Sequence, residues 1–393
     1  MAGKLINFKV LALLIVLISI VISVPHYLWV PAPGTSDFKY HYTHYNNYLI
    51  FKNSFYHLIH HKDPYELYRG EGFYDFFKYS PAFAVLMAPF AVLPNFFGLI
   101  LWTAFNGLIV FYAFWKFPFK NNTYKLLAIL FILPEAITSM QIFQSNCLLA
   151  GFIILAFLAL ERKSIPVASL FIVASIFIKL FGIVALVMFL FYPNKLKAFF
   201  WTLFWSLLFT LLPLLIISPS ELIGTYHNWQ RCLSDDYSTS YGFSVMAWLY
   251  TWFGINAKGL VLLIGIVLFI LPLIRFRSYR NTTFKNLFLA SLLIWVVIFN
   301  FKSESPSFII AVSGIAIWFF TQEYKLLNLV LLLFALVFTV LVATDIFPKS
   351  IRDNYMMPYV VKVVPCIVIW CKLIVDLLTN DFSDSKQVSP QAS

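Results

Sequence analysis

The sequence predicts an all-α integral membrane protein, a multi-pass helical bundle of about 12 transmembrane helices with amphipathic surface helices in its first outer loop. Of its 393 residues, 61% are hydrophobic and only 11% are charged, whereas about a quarter of a soluble domain is charged. The apolar residues form runs of roughly twenty, which is the length that a helix needs to cross a bilayer. These runs are continuous and do not alternate with polar residues, so a β-barrel is excluded.

The predicted spans begin with an apolar run that is longer than the core of a signal peptide and is therefore retained. Lys4 and Lys9 precede this run, so the positive-inside rule predicts a cytoplasmic N-terminus and an outer location for the polar segment that follows. The twelve spans are predicted at 10–30, 81–93, 96–115, 125–138, 145–160, 166–191, 198–217, 258–273, 286–301, 308–321, 326–344 and 363–379.

This count divides the chain into four parts. Residues 1–217 are predicted to hold seven spans and the outer loop 31–80, and residues 218–256 are predicted to form a second outer loop. Residues 257–380 are predicted to hold the remaining spans, and the polar residues 381–393 to form a disordered cytoplasmic tail. Within the second outer loop, residues 244–253 are predicted as a surface helix because they are too few to cross.

The count conflicts with the positive-inside rule between residues 81 and 165. It places the basic loops 116–125 and 161–164 outside. Merging the second and third spans into one crossing would bring both loops inside. It would also move the second outer loop inside, unless another span were wrongly assigned. The twelve-span assignment gathers the unusual polar loops on one face, and both possibilities stay open.

The segment 31–81 is the most unusual part of the sequence. It holds five of the seven histidines and nine of the 21 tyrosines, and tyrosine favours the membrane surface. Phe38, Tyr42, Tyr45 and Leu49 recur at helical spacing, which predicts a surface helix starting near Asp37. Asp37 is then either only a helix cap or a functional carboxylate, and the spacing leaves both open.

Charge and cysteine content exclude several other classes. The net charge is +11, but the cations are spread through short loops without a basic face, which argues against nucleic acid and for anionic lipid. The four cysteines show neither zinc spacing nor a disulfide framework. The spacing of His57, His60 and His61 would suit a metal, but histidines among tyrosines near lipid are interpreted as anchors, and no metal is predicted.

The predicted outer face gathers acids and cations, among them Asp37, Arg231, Lys302 and Glu304. Such a set suits chemistry on an anionic lipid head group, with one carboxylate as base and cations holding a phosphate. The alternative is a set of solvated loops. Lys179 lies within the sixth apolar run, where a cation is costly and usually functional.

The sequence contains an ordered series of short motifs: Ser36-Asp37-Phe38, Asp63-Pro64-Tyr65, Lys78-Tyr79-Ser80-Pro81, residues 89–94, Trp102 with Asn106, Gln144-Ser145-Asn146 and Lys179-Leu180-Phe181. This series resembles glycosyltransferase family 87, a group of GT-C-type membrane enzymes that use polyprenyl-phosphate sugars. It departs from the family pattern at Phe143, where a glycine is usual, and at 300–306, which lacks the usual histidine. The resemblance implies that residues 1–217 are a seven-span module with a catalytic outer loop at 31–80, and that residues 257–380 are variable C-terminal spans.

The resemblance implies a GT-C-like fold and transfer of a hexose, most often mannose, from a polyprenyl-phosphate donor to a lipid-linked or glycan acceptor. The reaction would invert the anomeric carbon at the outer face of the cytoplasmic membrane, with Asp37 as general base and no cofactor. Its partners would be membrane lipids, the donor and the acceptor, and not nucleic acid. The candidates for substrate or phosphate binding are Lys179, Gln144, Arg231, Lys302, Glu304, His41 and Tyr79.

Two other functions remain possible from the sequence. A transporter or flippase of a lipid-linked sugar would show inverted repeats with polar residues at the bilayer midplane in both halves, and no convincing repeat is found. A membrane scaffold without enzymatic activity would not need the long first outer loop.

Overall fold

The computed structural model describes residues 7–35, 39, 41–68, 70–236 and 241–382, and every regular element among them is helical. The longest 3-10 helix is Leu180–Phe191, and shorter 3-10 or π segments extend several helices. The α-helices are α1 (Phe8–Leu28), α2 (Asn46–Ile59), α3 (Pro81–Leu86), α4 (Ala88–Ala91), α5 (Asn95–Lys116), α6 (Asn122–Gln141), α7 (Asn146–Glu161), α8 (Ile165–Ile178), α9 (Lys195–Leu211), α10 (Pro219–Asp236), α11 (Val245–Phe253), α12 (Lys258–Ile270), α13 (Thr282–Ile298), α14 (Phe308–Phe320), α15 (Leu326–Ala335), α16 (Lys349–Ile351) and α17 (Val364–Thr379).

The helices have the composition of a membrane protein. Among the described residues, four are long and apolar enough to cross a bilayer, α1, α5, α6 and α9 with its extension to Leu215, and several others are shorter apolar helices. Many large apolar side chains of α1, α9, α12 and α15 are exposed, including Leu13, Phe199 and Leu263. A soluble protein rarely leaves so large an apolar surface open to water. The predicted class, an all-helical membrane protein, is therefore confirmed.

The two long polar segments lie together at one end of the bundle, which we call the polar-loop end. The Asn228 side chain on α10 donates a hydrogen bond of 2.8 Å to the Asp63 carboxylate, and the Trp229 indole donates one of 3.1 Å to the Lys78 carbonyl. Helix α10 was not predicted. The sequence feature that marks the start of this helix is a capping box, Ser218 followed by Glu221 three residues later. The Ser218 backbone N–H and hydroxyl both donate to the Glu221 carboxylate at 2.8 Å.

The predicted surface helix is displaced along the sequence. Helix α2 begins at Asn46, and His41 adopts a left-handed conformation with φ of 54°, so the predicted stripe starting at Phe38 does not form one continuous helix. Asp37 and Phe38 lie outside the described residues. The short helix predicted at 244–253 is confirmed as α11, with the Ser244 hydroxyl accepting from the Ala247 N–H at 3.2 Å.

The predicted second span, 81–93, is wrong. Its helices α3 and α4 have six and four residues, far fewer than the roughly twenty that a crossing needs. Both pack along α2, where the Tyr48 hydroxyl donates to the Phe90 carbonyl at 3.0 Å and the Lys52 ammonium to the Leu93 carbonyl at 2.8 Å. The segment therefore stays at the polar-loop end.

The predicted sixth span, 166–191, is also wrong, because the chain reverses at Lys179. Lys179 has an extended backbone between α8 and the 3-10 helix, and a Cβ at Gly182 would lie 2.6 Å from the Ser175 hydroxyl. Two helices can approach this closely only with a glycine at the contact. At the far end, the Tyr192 hydroxyl donates to the Glu161 carboxylate at 2.5 Å, next to the start of α8.

The two wrong spans compensate for each other. Because 81–93 does not cross, the basic loops 116–125 and 161–164 lie at the end opposite the polar loops. Because 166–191 runs down the bundle and back, the second polar segment returns to the same end as the first. Phe8, at the start of α1, contacts Trp115 at 6.1 Å between ring centroids, and Lys285 pairs with Glu161. The merging that the sequence left open is the arrangement observed.

The reversal at Lys179 predicts which loops are accessible together. We expect a cysteine at Arg162 and one at Lys195 to be labelled by a membrane-impermeant maleimide from the same side, and one at Lys62 from the other side. The protein should first carry Cys232→Ser and Cys371→Ser. Labelling of Arg162→Cys and Lys195→Cys from opposite sides would show that 166–191 crosses once.

Candidate functional site

A continuous hydrogen-bond network joins a half-buried cation to an exposed carboxylate at the polar-loop end. The Lys179 ammonium donates to the Asn146 side-chain oxygen at 2.6 Å, and the Asn146 amide donates to Gln144 at 2.7 Å. The Gln144 amide then donates to the Glu304 carboxylate at 2.6 Å. Asn146 is fully buried and Glu304 is exposed. This Lys179–Glu304 network brings together four residues from three distant parts of the sequence.

The turn between α6 and α7 orients Gln144. Phe143 has φ of 56°, a left-handed conformation that glycine adopts without steric cost. Hydrogen bonds from two helices stabilise this turn. The Trp102 indole on α5 donates to the Phe143 carbonyl at 2.9 Å. The Asn47 amide on α2 donates to the Ile142 carbonyl at 2.9 Å. These bonds explain how a phenylalanine occupies a position where the family usually has glycine.

Tyr79 lies against the same network. The Lys179 ammonium is 5.8 Å from the ring centroids of Tyr79 and Phe181, a distance at which the ring face attracts a cation. The Ser145 hydroxyl donates to the Tyr79 hydroxyl at 3.4 Å. Burial raises the pKa of Tyr79 above its usual range, so the phenol stays protonated at neutral pH. The cation is thus bordered by two aromatic rings and by neutral hydrogen-bonding groups.

A buried ion pair supports the loop that carries Glu304. Glu135 and Lys362 are both fully buried and lie 2.8 Å apart. The Lys362 ammonium also donates to the Ser305 hydroxyl at 2.8 Å and to the Ser305 carbonyl at 3.2 Å. A buried charge is tolerated when it is paired and further hydrogen-bonded. The pair therefore fixes Ser305, and with it the adjacent Glu304.

Sequence reasoning did not identify this pair. Glu135 lies within α6, directly after Pro134. A carboxylate inside an apolar run is itself a signal that a cationic partner is close by. That signal gives no information about Lys362, which is more than two hundred residues further along the chain.

The other predicted site residues lie in different surroundings. Lys302 is in the loop before Glu304, with its backbone N–H donating to the Asn300 side chain at 2.9 Å. Arg231 lines a separate cavity on α10. His41 is exposed beside Gly72.

Asp37 lies outside the described residues, but the helix that leads to it ends close to the network. At the C-terminal end of α1, the His26 ring contacts the Phe143 ring with 5.3 Å between centroids. Trp29 stacks on His44 at 3.5 Å. The chain that continues from α1 toward Asp37 therefore starts beside the turn that carries Gln144.

The described side chains suit binding of an anionic, hydroxylated ligand. Among them, no three histidine, cysteine, aspartate or glutamate side chains come together in a way that could hold a metal ion. The network offers an ammonium for a phosphate, and amide and carboxylate groups for hydroxyls. Polar groups of this kind, placed beside aromatic rings, are typical of ligand sites.

The buried ion pair gives a prediction about stability. Lys362→Met should lower the free energy of unfolding by about 3–5 kcal/mol, because it leaves the Glu135 carboxylate buried without a cation. The double variant Glu135→Leu with Lys362→Met should recover most of this loss. The measurement is the thermal unfolding of purified protein in detergent, with Lys349→Met as control for loss of an exposed lysine. Equal stability of the single and double variants would contradict a paired charge.

Comparison with known proteins identifies the family of this chain. No curated protein matches the chain. The model of glycosyltransferase family 87 matches residues 76–299, which is more than half of the 393 residues. The matched region contains Gln144, Asn146 and Lys179, whereas Asp37 precedes it and Glu304 and Lys362 follow it. The chain belongs to glycosyltransferase family 87, and its activity is that of a glycosyltransferase.

Proposed function

We propose that this protein transfers a hexose, most simply mannose, from a polyprenyl-phosphate donor to a lipid-linked or glycan acceptor at the outer face of the cytoplasmic membrane. The Lys179–Glu304 network is the observation that carries this proposal. It lies where an apolar bundle meets its polar loops. A lipid whose tail lies along the exposed apolar helices would present its phosphate at this level.

The charge distribution supports this orientation. With 81–93 at the surface and 166–191 counted as two crossings, the chain makes twelve crossings in the proposed topology. The end opposite the polar loops is rich in cations, as the positive-inside rule expects of a cytoplasmic face. These cations include Lys116, Lys120, Arg162, Lys163, Lys195, Lys197, Arg275, Arg277 and Arg280.

In the proposed reaction, Lys179 binds the phosphate of the donor. Its ammonium has three donor hydrogens and uses one on Asn146. The remaining donors would stabilise the negative charge that develops on the phosphate as the sugar departs. This electrostatic stabilisation is strongest in a site with little water. Gln144 and Glu304 would bind sugar hydroxyls, and Lys302 would add positive charge from the neighbouring loop.

Asp37 is proposed as the general base. The acceptor hydroxyl attacks the anomeric carbon from the side opposite the phosphate, so the configuration is inverted. The bond between that carbon and the phosphate oxygen breaks, and polyprenyl phosphate leaves with the bonding electron pair. Asp37 takes the proton of the attacking hydroxyl. The donor is already activated by its phosphate, so the proposal needs no additional cofactor.

Asp37→Asn tests the base directly. It keeps the size of the side chain and much of its capping ability, but it removes the basic carboxylate. We expect transfer from polyprenyl-phosphate mannose to fall by about two to four orders of magnitude, with expression and thermal unfolding unchanged. Asp75→Asn, in the same polar segment, is the control. Near-normal turnover of Asp37→Asn would end the assignment.

Lys179→Met tests the proposed phosphate site. We expect kcat/KM for the donor to fall by about 10²- to 10³-fold, as when one stabilising donor is removed from a reaction centre. Lys179→Arg should retain more activity because it keeps the charge. Lys116→Met removes a lysine at the opposite end and is the control. An unchanged kcat/KM in Lys179→Met would remove this residue from the site.

A further inference from the structure

A cavity at the polar-loop end is separate from the Lys179–Glu304 network. It has a volume of about 330 Å³ and lies between α10 and the segment 63–78. Hydrogen bonds from Asn228 to Asp63 and from Trp229 to Lys78 hold its two sides together. Its lining residues are Asp63, Tyr65, Glu66, Phe76, Lys78, Asn228, Arg231, Cys232 and Asp235.

The lining favours a neutral, hydroxylated ligand. Three carboxylates, on Asp63, Glu66 and Asp235, face two cations, on Lys78 and Arg231, so the cavity has no excess positive charge that would attract a phosphate. Carboxylates accept hydrogen bonds from hydroxyls, and the two cations and an amide donate them. Tyr65 and Phe76 add aromatic surface. The volume is at the lower end for ligand pockets, which suits one sugar ring better than an oligosaccharide.

The Asp63 carboxyl group is partly buried and is hydrogen-bonded through both oxygens. Burial raises the pKa of its carboxyl, and the Tyr65 backbone N–H and the Asn228 amide partly offset this effect. These two groups donate at 3.0 Å and 2.8 Å, one to each carboxylate oxygen. The carboxylate is thus fixed in orientation at the cavity wall.

The cavity is adjacent to the proposed reaction site through the segment 77–80. Lys78 lines the cavity, whereas the next residue, Tyr79, contacts Lys179 and Ser145. The Tyr79 ring also packs against the Phe77 ring, with 5.8 Å between centroids. The Tyr65 hydroxyl also donates to the Tyr79 carbonyl at 2.9 Å. One short segment therefore separates the two sites.

We propose that this cavity binds a sugar residue of the acceptor, next to the one that is glycosylated. This inference rests on the proposed function. A glycan that extends from the reaction site toward solvent would reach the cavity on the other side of 77–80, and its neutral hydroxyls match the mixed lining. The donor phosphate is matched instead by Lys179.

Cys232 gives a test that does not depend on activity. Its thiol is half-buried in the cavity wall, so a bound sugar should slow its reaction with N-ethylmaleimide. A ligand present at a concentration ten times its dissociation constant leaves about one site in eleven empty, so labelling of Cys232 should be about tenfold slower. The probes are methyl α-D-mannoside and inorganic phosphate. Gln230→Cys places an exposed thiol on the same helix as the internal control.

Slower labelling of Cys232 by the mannoside, with Gln230→Cys unaffected, supports the proposal. The protection should be lost in Glu66→Ala and in Arg231→Ala. Protection by phosphate alone would identify an anion site and overturn the proposal. An unchanged labelling rate with the mannoside, or protection that survives both substitutions, would overturn it as well.

Kinetics separate this inference from the proposed function. Glu66→Ala and Arg231→Ala should each raise the acceptor KM by about tenfold, roughly the value of one hydrogen bond to a charged group, while donor KM and kcat stay unchanged. Gln230→Ala is the matched control. Transfer with a wild-type acceptor KM in both variants would end the inference and leave the proposed function intact. Absence of transfer from any polyprenyl-phosphate sugar would contradict the proposed function. Labelling of Cys232 would then still show whether the cavity binds the mannoside.

Discussion

The arrangement of the bundle depends on where one cation is placed. Lys179 interrupts a long apolar run, and an ammonium in the middle of hydrocarbon is costly. The chain meets this constraint by ending α8 at Ile178 and reversing, so that Lys179 lies at the end of the bundle with Asn146 as its partner. The reversal adds a crossing to the proposed topology. Together with the surface position of 81–93, that crossing leaves the basic loops at one end and the polar loops at the other.

A second constraint joins the two halves of the chain. Glu135 belongs to the region that matches the family, whereas Lys362 and Ser305 lie beyond it. The buried pair therefore makes the position of Glu304 dependent on the C-terminal helices. Removing one partner would leave a buried charge without compensation, so the pair tolerates change only when both residues change together. In this way the part of the chain outside the family match contributes to the candidate site.

The sequence predicted the class of the fold and most of the helices beyond residue 195, because long apolar runs bounded by charged loops have few alternative structures. It failed at 81–93 and 166–191 because length and composition do not show whether an apolar segment crosses once, turns back or lies at the surface. Gly182 and the extended Lys179 determine the reversal through a contact with Ser175, and such contacts are invisible to hydropathy.

The candidate site was predictable residue by residue but not as an arrangement. Lys179, Gln144, Glu304 and Tyr79 were all identified from the sequence, although nothing in their spacing indicated that two amides connect Lys179 to Glu304. Four predicted spans precede Gln144, which implies a location on the inner face, whereas its bond to Glu304 places it at the polar-loop end. Arg231 was grouped with the same set, and the structure places it in the neighbouring cavity. Lys362 was not considered, because its partner Glu135 is distant in the chain.

In the proposed reaction the Lys179–Glu304 network binds the phosphate of a lipid-linked sugar. An electron cryomicroscopy structure of the purified protein with a bound polyprenyl phosphate would show where that phosphate lies. We expect phosphate density within hydrogen-bonding distance of the Lys179 ammonium, with the lipid tail along the apolar helices. Phosphate density at the opposite end of the bundle, or in the cavity lined by Arg231, would contradict it.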